Sequence, residues 1–363
     1  MLVGLFGTGR NGSTLLGRLL DGSPELWVHP IEVNYLSVFS DLVRFGSLRA
    51  RTAQNAVTEP LQLGGKLDFA VLRNAYGHHD DEIRDAFVAA LEEPYTPAND
   101  SALSGDGSVV AADFLPRLLE SSRHAYDSRE GAMSAYVFKS IETPYIDDYA
   151  RVFPTMKFVH LLRDPLATYA SLKRTNMVRK RWPFWAHGGD ELRMMLEQRW
   201  LPHARFAVER APSDPARHIV VRYEDLVASP SDEIGRLCTW LGVTPPAEPD
   251  VQTVLGGRRM TKLPMNPSRP GVDTPARVVR DMSTRFDYDE VLTRREQDFI
   301  VVRTRDLAGK LSYPDRGPVS RLRLAGRWLI PDRWELANSR SPRRSIGAIL
   351  ARRRYIYGAL LNS

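Results

Sequence analysis

The chain opens with MLVGLFGTGRNGSTLLGRLL, residues 1–20, and this stretch decides the fold. Leu2–Phe6 is an apolar run of strand length. Gly7–Gly12 is rich in residues that tolerate unusual backbone angles, and from Ser13 onward leucines recur at helical spacing. A strand, a glycine turn and a helix N-terminus in this order point backbone N–H groups and a helix dipole at one spot. The stretch predicts a phosphate- or sulfate-binding loop, with an ordinary strand-to-helix turn as the alternative.

The loop differs from the P-loop of nucleoside triphosphatases at its lysine position. Gly7 and Gly12 have the P-loop spacing and Thr14 fits, but Ser13 stands where the lysine belongs. Because that lysine reaches the β- and γ-phosphates, its absence argues against ATP or GTP hydrolysis. Arg10 is the cation of the loop, and a guanidinium forms a fork of hydrogen bonds to phosphate or sulfonate oxygens.

Composition suits one large α/β domain with a sizeable core, since 43% of the 363 residues are hydrophobic. The single cysteine, Cys238, excludes a disulfide framework and predicts a reducing, cytoplasmic compartment. We expect neither a membrane helix nor a signal peptide. The net charge is +6, but residues 318–363 alone carry +8, so the rest of the chain sums to −2. The basic character therefore belongs to the C-terminal tail and does not predict nucleic-acid binding.

A second apolar run, residues 26–29, predicts a strand, with residues 30–33 following at its end. Ligands of open α/β sheets bind beyond the carboxyl ends of the strands. This places Glu32 and His29 near the glycine loop. Glu32 is the candidate base, and His29 is either an alternative base or a packing residue.

Another anion-binding pair follows a later strand. Residues 157–162 have the pattern of a buried strand, which Arg163-Asp164-Pro165 ends, and Pro165 suits the first turn of a helix. Arg163 at the strand end and Ser171, eight residues later, can converge on one anion.

The remaining pattern alternates strands with helices. Strands are predicted at 136–140 and 218–222, and helices at 147–153 and about 231–241, the last ending at Gly242. The alternation predicts a parallel sheet with right-handed crossovers. His78-His79-Asp80-Asp81 lacks a partner at helical spacing, so it predicts a solvated loop rather than a metal site.

Three stretches, in this order and spacing, resemble the sulfotransferases that use 3′-phosphoadenosine 5′-phosphosulfate (PAPS). They are GTGRNGSTLLGRLL (7–20), FVHLLRDPLATYASLKR (158–174) and IVVRYEDLVASP (219–230) with its GRLCTWLGV helix (235–243). In that family the first stretch binds the 5′-phosphosulfate end. The second binds the 3′-phosphate through an arginine and a serine, matched here by Arg163 and Ser171. The resemblance implies a P-loop-like three-layer sandwich around a central parallel β-sheet.

Finer detail resembles the tyrosylprotein-type and related bacterial branch. That branch has a glutamate after the second strand, a lysine at the end of the strand before the 3′-phosphate motif, and a late serine, matched by Glu32, Lys139 and Ser283. Arg10 joins them as a candidate catalytic residue. The donor-binding residues that the resemblance implies are Gly9, Arg10, Asn11, Gly12, Ser13, Thr14, Arg163, Ser171, Tyr223, Arg258 and Arg269.

The resemblance predicts transfer of a sulfuryl group from PAPS to an acceptor hydroxyl, with PAP (3′-phosphoadenosine 5′-phosphate) as product and no metal. The acceptor is a carbohydrate, natural product or lipid-linked small molecule, contacted by segments at about 40–130 and 174–200. A P-loop kinase with a degenerate loop and a non-catalytic PAP-binding protein are the alternatives. We place the sulfotransferase domain at 1–316 and an arginine-rich extension at 317–363, which docks on the body, on a second subunit or on a membrane surface.

Overall fold

The computed structural model describes residues 1–33, 131–141, 143–178, 191–259, 277–278, 290–328 and 342–361, together with isolated positions between 115 and 129. The strands are β1 (Leu2–Gly7), β2 (Leu26–Glu32), β3 (Ala135–Ser140), β4 (Lys157–Leu162), β5 (His218–Arg222), β6 (Thr253–Val254) and β7 (Arg258–Arg259). The helices are α1 (Ser13–Leu20), α2 (Ile146–Val152), α3 (Pro165–Val178), α4 (Glu191–Arg193), a π-helix (Met194–Trp200), α5 (Leu201–Glu209), α6 (Tyr223–Ala228), α7 (Pro230–Leu241), α8 (Arg294–Lys310), α9 (Arg321–Arg327) and α10 (Pro342–Leu361).

The first five strands form one parallel sheet in the order β2-β3-β1-β4-β5. Side chains alternate between its two faces, as the period of a strand requires. Val3 and Leu5 of β1 pack on one face with leucines of α1 and α7. Phe6 packs on the other face with Phe158 and Tyr149. Both faces are covered, which confirms the predicted three-layer α/β fold with a parallel sheet.

The strand order places the glycine loop at the centre of the sheet edge where the strands have their carboxyl ends, which we call the functional edge. β1 lies between β3 and β4, so its C-terminal loop has the loops after β3 and β4 on either side. In open α/β sheets whose strands are joined by right-handed crossovers, ligands bind beyond the carboxyl ends of the inner strands.

One predicted boundary is wrong. Glu32 does not follow the second strand but is its last residue, because β2 continues through Pro30 after a register irregularity between Val28 and Glu32. Proline is tolerated there because β2 is an edge strand, so the N–H that proline lacks does not interrupt the hydrogen bonds between inner strands.

The described part of the C-terminal tail packs against the body. Leu324, Trp328, Ile356 and Leu360 are buried in one apolar cluster with residues of α3, α5 and α8. In the part of the tail that the structure describes, these side chains therefore face the body rather than a lipid surface. Among the described helices, none has the length and apolar character that crossing a membrane requires.

Candidate active site

The glycine loop has a left-handed backbone at three of its positions. The φ angles are 75° at Gly9, 58° at Arg10 and 99° at Gly12. This conformation disfavours residues with a β-carbon, which explains the glycines on either side of Arg10. Gly12 is the N-cap of α1 and has no side chain with which to cap the helix. The N–H of Ser13 donates to Oδ1 of Asn11 at 3.4 Å, and the next N–H groups of the first turn are directed at the space above the loop.

Asn11 fastens the loop to the sheet. Its side chain is fully buried, and Nδ2 donates a 2.7 Å hydrogen bond to the carbonyl oxygen of Leu161 in β4. A β-carbon on Gly7 would lie 1.6 Å from that Nδ2 atom, so only glycine leaves room for the amide. The Asn11 side chain therefore supports the loop's shape, and the predicted contact of Asn11 with the donor stays a prediction.

Arg10, Arg163 and Ser171 meet at one place. Nε of Arg10 donates to Oγ of Ser171 at 3.3 Å, and Nη1 of Arg163 donates to the carbonyl oxygen of Arg10 at 3.1 Å. The guanidinium of Arg163 also lies 4.3 Å from the ring centre of Tyr223, a cation–π contact. Two guanidinium groups and a hydroxyl beside the first turn of a helix are groups that anion-binding sites use, so this place is the candidate donor site.

Tyr223 closes this site from the β5 side. A β-carbon added to Gly12 would lie 2.3 Å from its ring, so the ring packs directly on the loop. Arg163 and Tyr223 thus hold each other and the loop in place. The spacing of Arg163 and Ser171 in the sequence predicted that these two residues lie close together. Their contacts with Arg10 could be seen only in the folded structure.

A buried polar network supports the helix that carries Ser171. Asp164 caps α3, since its Oδ1 accepts from the N–H groups of Leu166 and Ala167 at 2.9 and 3.0 Å. Its other oxygen accepts from Arg316, and its own N–H donates to Glu224. Burial raises the pKa of the Glu224 carboxyl. These contacts fix Arg163, the residue before the cap. No sequence motif indicates the parts that Glu224 and Arg316 play here.

Lys139 lies at the carboxyl end of β3, on the face covered by α1. It is buried, and its Cδ is 3.4 Å from the position of a β-carbon on Gly17. The strand register pairs Lys139 with Leu5 on one side and with Glu32 on the other. The predicted lysine and glutamate are thus neighbours in the sheet at the functional edge. His29 is buried within β2.

Three predicted donor-side residues are covered little or not at all by the described structure. Ser283 and Arg269 lie outside the described residues. Arg258 is described through its backbone in β7, whose hairpin is fastened to α1 by the N–H groups of Gly256 and Gly257, which donate to Asp21. Asp21 is the C-cap of α1, at the end away from the glycine loop.

The π-helix is the main part of the site that sequence analysis missed. Trp200 Nε1 donates to the carbonyl oxygen of Arg163 at 2.9 Å. A β-carbon on Gly9 would lie 3.4 Å from Nη1 of Arg199. Local sequence offers no reliable signal for π-helices, which are rare and often occur at functional sites.

Among the described residues, no group of three or more histidine, cysteine, aspartate or glutamate side chains is arranged to hold a metal ion. The donor set at the loop consists of backbone N–H groups, guanidinium groups and hydroxyls. Guanidinium and backbone N–H groups attract anions, so the site fits a phosphate- or sulfate-bearing cofactor.

The comparisons with known proteins agree with this geometry. The model of the sulfotransferase family matches residues 3–247, more than half of the chain, so the chain belongs to the sulfotransferase family. No curated protein matches the sequence.

Solved structures support the fold. The sulfotransferase domain from the curacin biosynthetic pathway is 18% identical, with a TM-score of 0.51, over 86% of this chain and 97% of that chain. The sulfotransferase domain from the Synechococcus PCC 7002 olefin synthase is 19% identical over 86% of this chain and 94% of that chain, with a TM-score of 0.48. Sulfotransferase STF9 from Mycobacterium avium is 15% identical over 87% of this chain and 78% of that chain, with a TM-score of 0.41. The first of these supports the α/β sulfotransferase fold, and the other two carry no further argument.

Proposed function

We propose that this sulfotransferase uses PAPS as its donor and transfers the sulfuryl group to an acceptor hydroxyl. The supporting observation is the meeting of Arg10, Arg163 and Ser171 beside the glycine loop. PAPS carries two anionic ends, a 3′-phosphate and a 5′-phosphosulfate. The loop N–H groups suit one end, and the arginine–serine pair at the β4 side suits the other.

A P-loop kinase fits the site less well. Ser13 occupies the position of the lysine that holds the β- and γ-phosphates, and a donor without a γ-phosphate has no need of it. A non-catalytic PAP-binding protein would keep the nucleotide site alone. Lys139 and Glu32, paired in register at the same edge, favour a catalyst over that alternative.

The proposed reaction is an in-line displacement at sulfur. The acceptor oxygen forms a bond to sulfur while the bond from sulfur to the bridging 5′-phosphate oxygen breaks, and PAP leaves. Glu32 accepts the acceptor's proton, with His29 as the alternative base. Arg10, Lys139 and Ser283 stabilise charge on the sulfonate and on the departing phosphate, as positioned cations and donors do in the related phosphoryl transfers. We expect turnover to persist in EDTA.

The acceptor side is assigned to the segments at about 40–130 and 174–200, and the acceptor to a carbohydrate, natural product or lipid-linked small molecule. The single cysteine, Cys238, is free and buried. This supports a reducing, cytoplasmic compartment as part of the proposal.

Isothermal titration with PAP, and separately with ATP and Mg²⁺, tests the donor assignment. We expect micromolar PAP binding, much weaker ATP binding, and at least a tenfold loss of PAP affinity in Arg163→Ala, which removes charge-assisted hydrogen bonds. Arg151→Ala, at an exposed position on α2, is the matched control. ATP binding with no response to PAP would overturn the proposal and favour the kinase.

Glu32→Gln tests the catalytic part separately. General bases contribute about 100- to 10,000-fold, so the variant should lose turnover by such a factor and keep near-normal PAP affinity. An unchanged rate would remove Glu32 from the mechanism and leave His29 as the candidate.

A further inference from the structure

We propose that Arg199 is a donor-contact residue that binds the sulfonate group of PAPS, and that the π-helix is the element that delivers it to the glycine loop. This inference rests on the proposed function. It starts from a contact between two segments that are 190 residues apart in the chain. A β-carbon on Gly9 would lie 3.4 Å from Nη1 of Arg199 and 3.8 Å from Cγ2 of Ile141.

The contact has a definite place along the functional edge. Gly9 belongs to the limb of the loop that leaves β1, and Ile141 directly follows β3. Arg199 therefore stands on the β3 side of the loop, whereas Arg163 and Ser171 stand on the β4 side. A donor whose 3′-phosphate occupies the β4 side extends its transferring end toward β3. Lys139 is the last residue but one of β3, so the two cations flank the same end of the donor.

Arg199 and Lys139 approach from opposite faces of the sheet. Lys139 lies on the α1 face, against Gly17. The π-helix continues into α5, which packs on the opposite face, where His203 of α5 meets His160 of β4. A sulfonate between the two cations would be held from both sides, and the cations would stabilise the negative charge on its oxygens and the charge that develops on the bridging oxygen as PAP leaves.

The π-helix is fixed on its inner side. Next to Arg199, Trp200 Nε1 donates to the carbonyl oxygen of Arg163 at 2.9 Å and its ring is fully buried. The hydroxyl of Thr143, which follows β3, donates to the carbonyl oxygen of Arg199 at 3.5 Å. The backbone of Arg199 is thus tied to the segment after β3, and the side chain of its neighbour Trp200 is tied to the segment after β4.

The outer side of the π-helix is fixed as well. Glu197 Oε1 accepts hydrogen bonds from Arg303 at 2.7 Å and from the hydroxyl of Tyr355 at 2.8 Å. The two sets of contacts leave the Arg199 side chain half-buried at the rim of the loop. These contacts hold the backbone that carries Arg199, and a side chain on a fixed backbone is more easily placed on an anion, which makes its hydrogen bonds to a ligand more effective.

PAPS and PAP are the two probes that test this assignment, because they differ by the sulfonate alone. We expect Arg199→Ala to weaken PAPS binding about tenfold or more, the usual effect of losing a charge-assisted hydrogen bond, and to change PAP affinity less than threefold. Arg199→Lys keeps the charge and should recover part of the PAPS affinity. Arg205→Ala, at an exposed position further along in α5, is the matched control and should bind both probes like the parent chain.

The outcomes separate the two proposals. Equal losses of PAPS and PAP affinity in Arg199→Ala would mean that Arg199 supports the loop's shape, and an unchanged affinity for both would mean that it contacts neither; each result overturns the inference. Failure of the parent chain to bind either probe would overturn the donor assignment itself. Thermal unfolding of each variant checks that the fold is retained, and Arg199→Lys keeps the test valid where the alanine variant is destabilised.

Discussion

Substitution of Arg352 in the C-terminal tail should destabilise the whole fold. Arg352 donates to Glu296 at 2.9 Å, and Lys173 of α3 donates to the same carboxylate at 2.7 Å. All three side chains are at most 4% exposed. The N–H of Thr293 donates to Glu296 as well, at 2.8 Å. One buried carboxylate thus joins the tail, α8 and the helix that carries the donor-site serine.

The magnitude follows from the electrostatics of Glu296. Burial by itself would raise the pKa of this carboxyl, but Lys173 and Arg352 outweigh burial and lower the pKa from 4.5 to about 2. A depression of this size corresponds to about 3 kcal/mol of stabilisation of the charged form. Removal of one partner from a buried ion pair typically costs about 3–5 kcal/mol, which is consistent. Arg352→Met removes one of the two cations and leaves Lys173, so we expect it to lower the free energy of unfolding by part of that amount, about 2 kcal/mol.

Urea unfolding of Arg352→Met beside Arg354→Met measures this loss. Arg354 lies on the same helix but is exposed, so its substitution should change the free energy of unfolding by no more than about 0.5 kcal/mol. A loss below about 1 kcal/mol in Arg352→Met, with the slope against urea unchanged, would refute the reasoning. It would mean that Lys173 alone neutralises Glu296.

The same cluster predicts a pH dependence. Because the pKa of Glu296 is depressed in the folded state, its stabilisation is present above about pH 4.5 and is lost as the pH falls toward 2. The stability difference between the parent chain and Arg352→Met should therefore shrink over that range. His203, whose burial lowers its pKa to about 3, titrates there too, but it does so in both chains and cancels in the difference. A difference that stays constant down to pH 2 would contradict this account.

Three further outcomes are expected. Gly12→Ala should abolish PAP binding, because a residue with a β-carbon is strained by about 1–2 kcal/mol at a φ of 99° and the new methyl group would meet the ring of Tyr223. Titration of the variant with PAP checks this, and a normal affinity would contradict it. Asn11→Ala should lower the free energy of unfolding, measured in urea, by about 1–3 kcal/mol, because the carbonyl oxygen of Leu161 loses a buried donor. A change near zero would show that the hydrogen bond from Asn11 to Leu161 does not stabilise the fold. Burial raises the thiol pKa of Cys238 to about 11, so Cys238 should resist iodoacetamide in the folded chain and react once urea unfolds the chain. Rapid labelling without urea would contradict the burial of Cys238.

The sequence by itself determined the parts of the protein that depend on local chemistry. The apolar runs that became β1, β4 and β5, the glycine turn before α1 and Pro165 at the start of α3 follow from short-range pattern and backbone preference. The motifs around Arg163 and Ser171 predicted the sulfotransferase family, which the family comparison shows. The roles of Glu32, Lys139 and Ser283 stay predictions.

Contacts between distant segments were decided by tertiary structure alone. Nothing near Arg199 in the chain indicates that a π-helix brings it to Gly9, and nothing near Arg352 indicates its pairing with Glu296 across 56 residues. Such pairings depend on which helix faces which strand loop, and periodicity predicts the buried face of a helix but not its partner. The end of β2 was misjudged for a similar reason. Pro30 usually interrupts a strand, and the position of β2 at the sheet edge, where a missing N–H is tolerated, is a property of the assembled sheet.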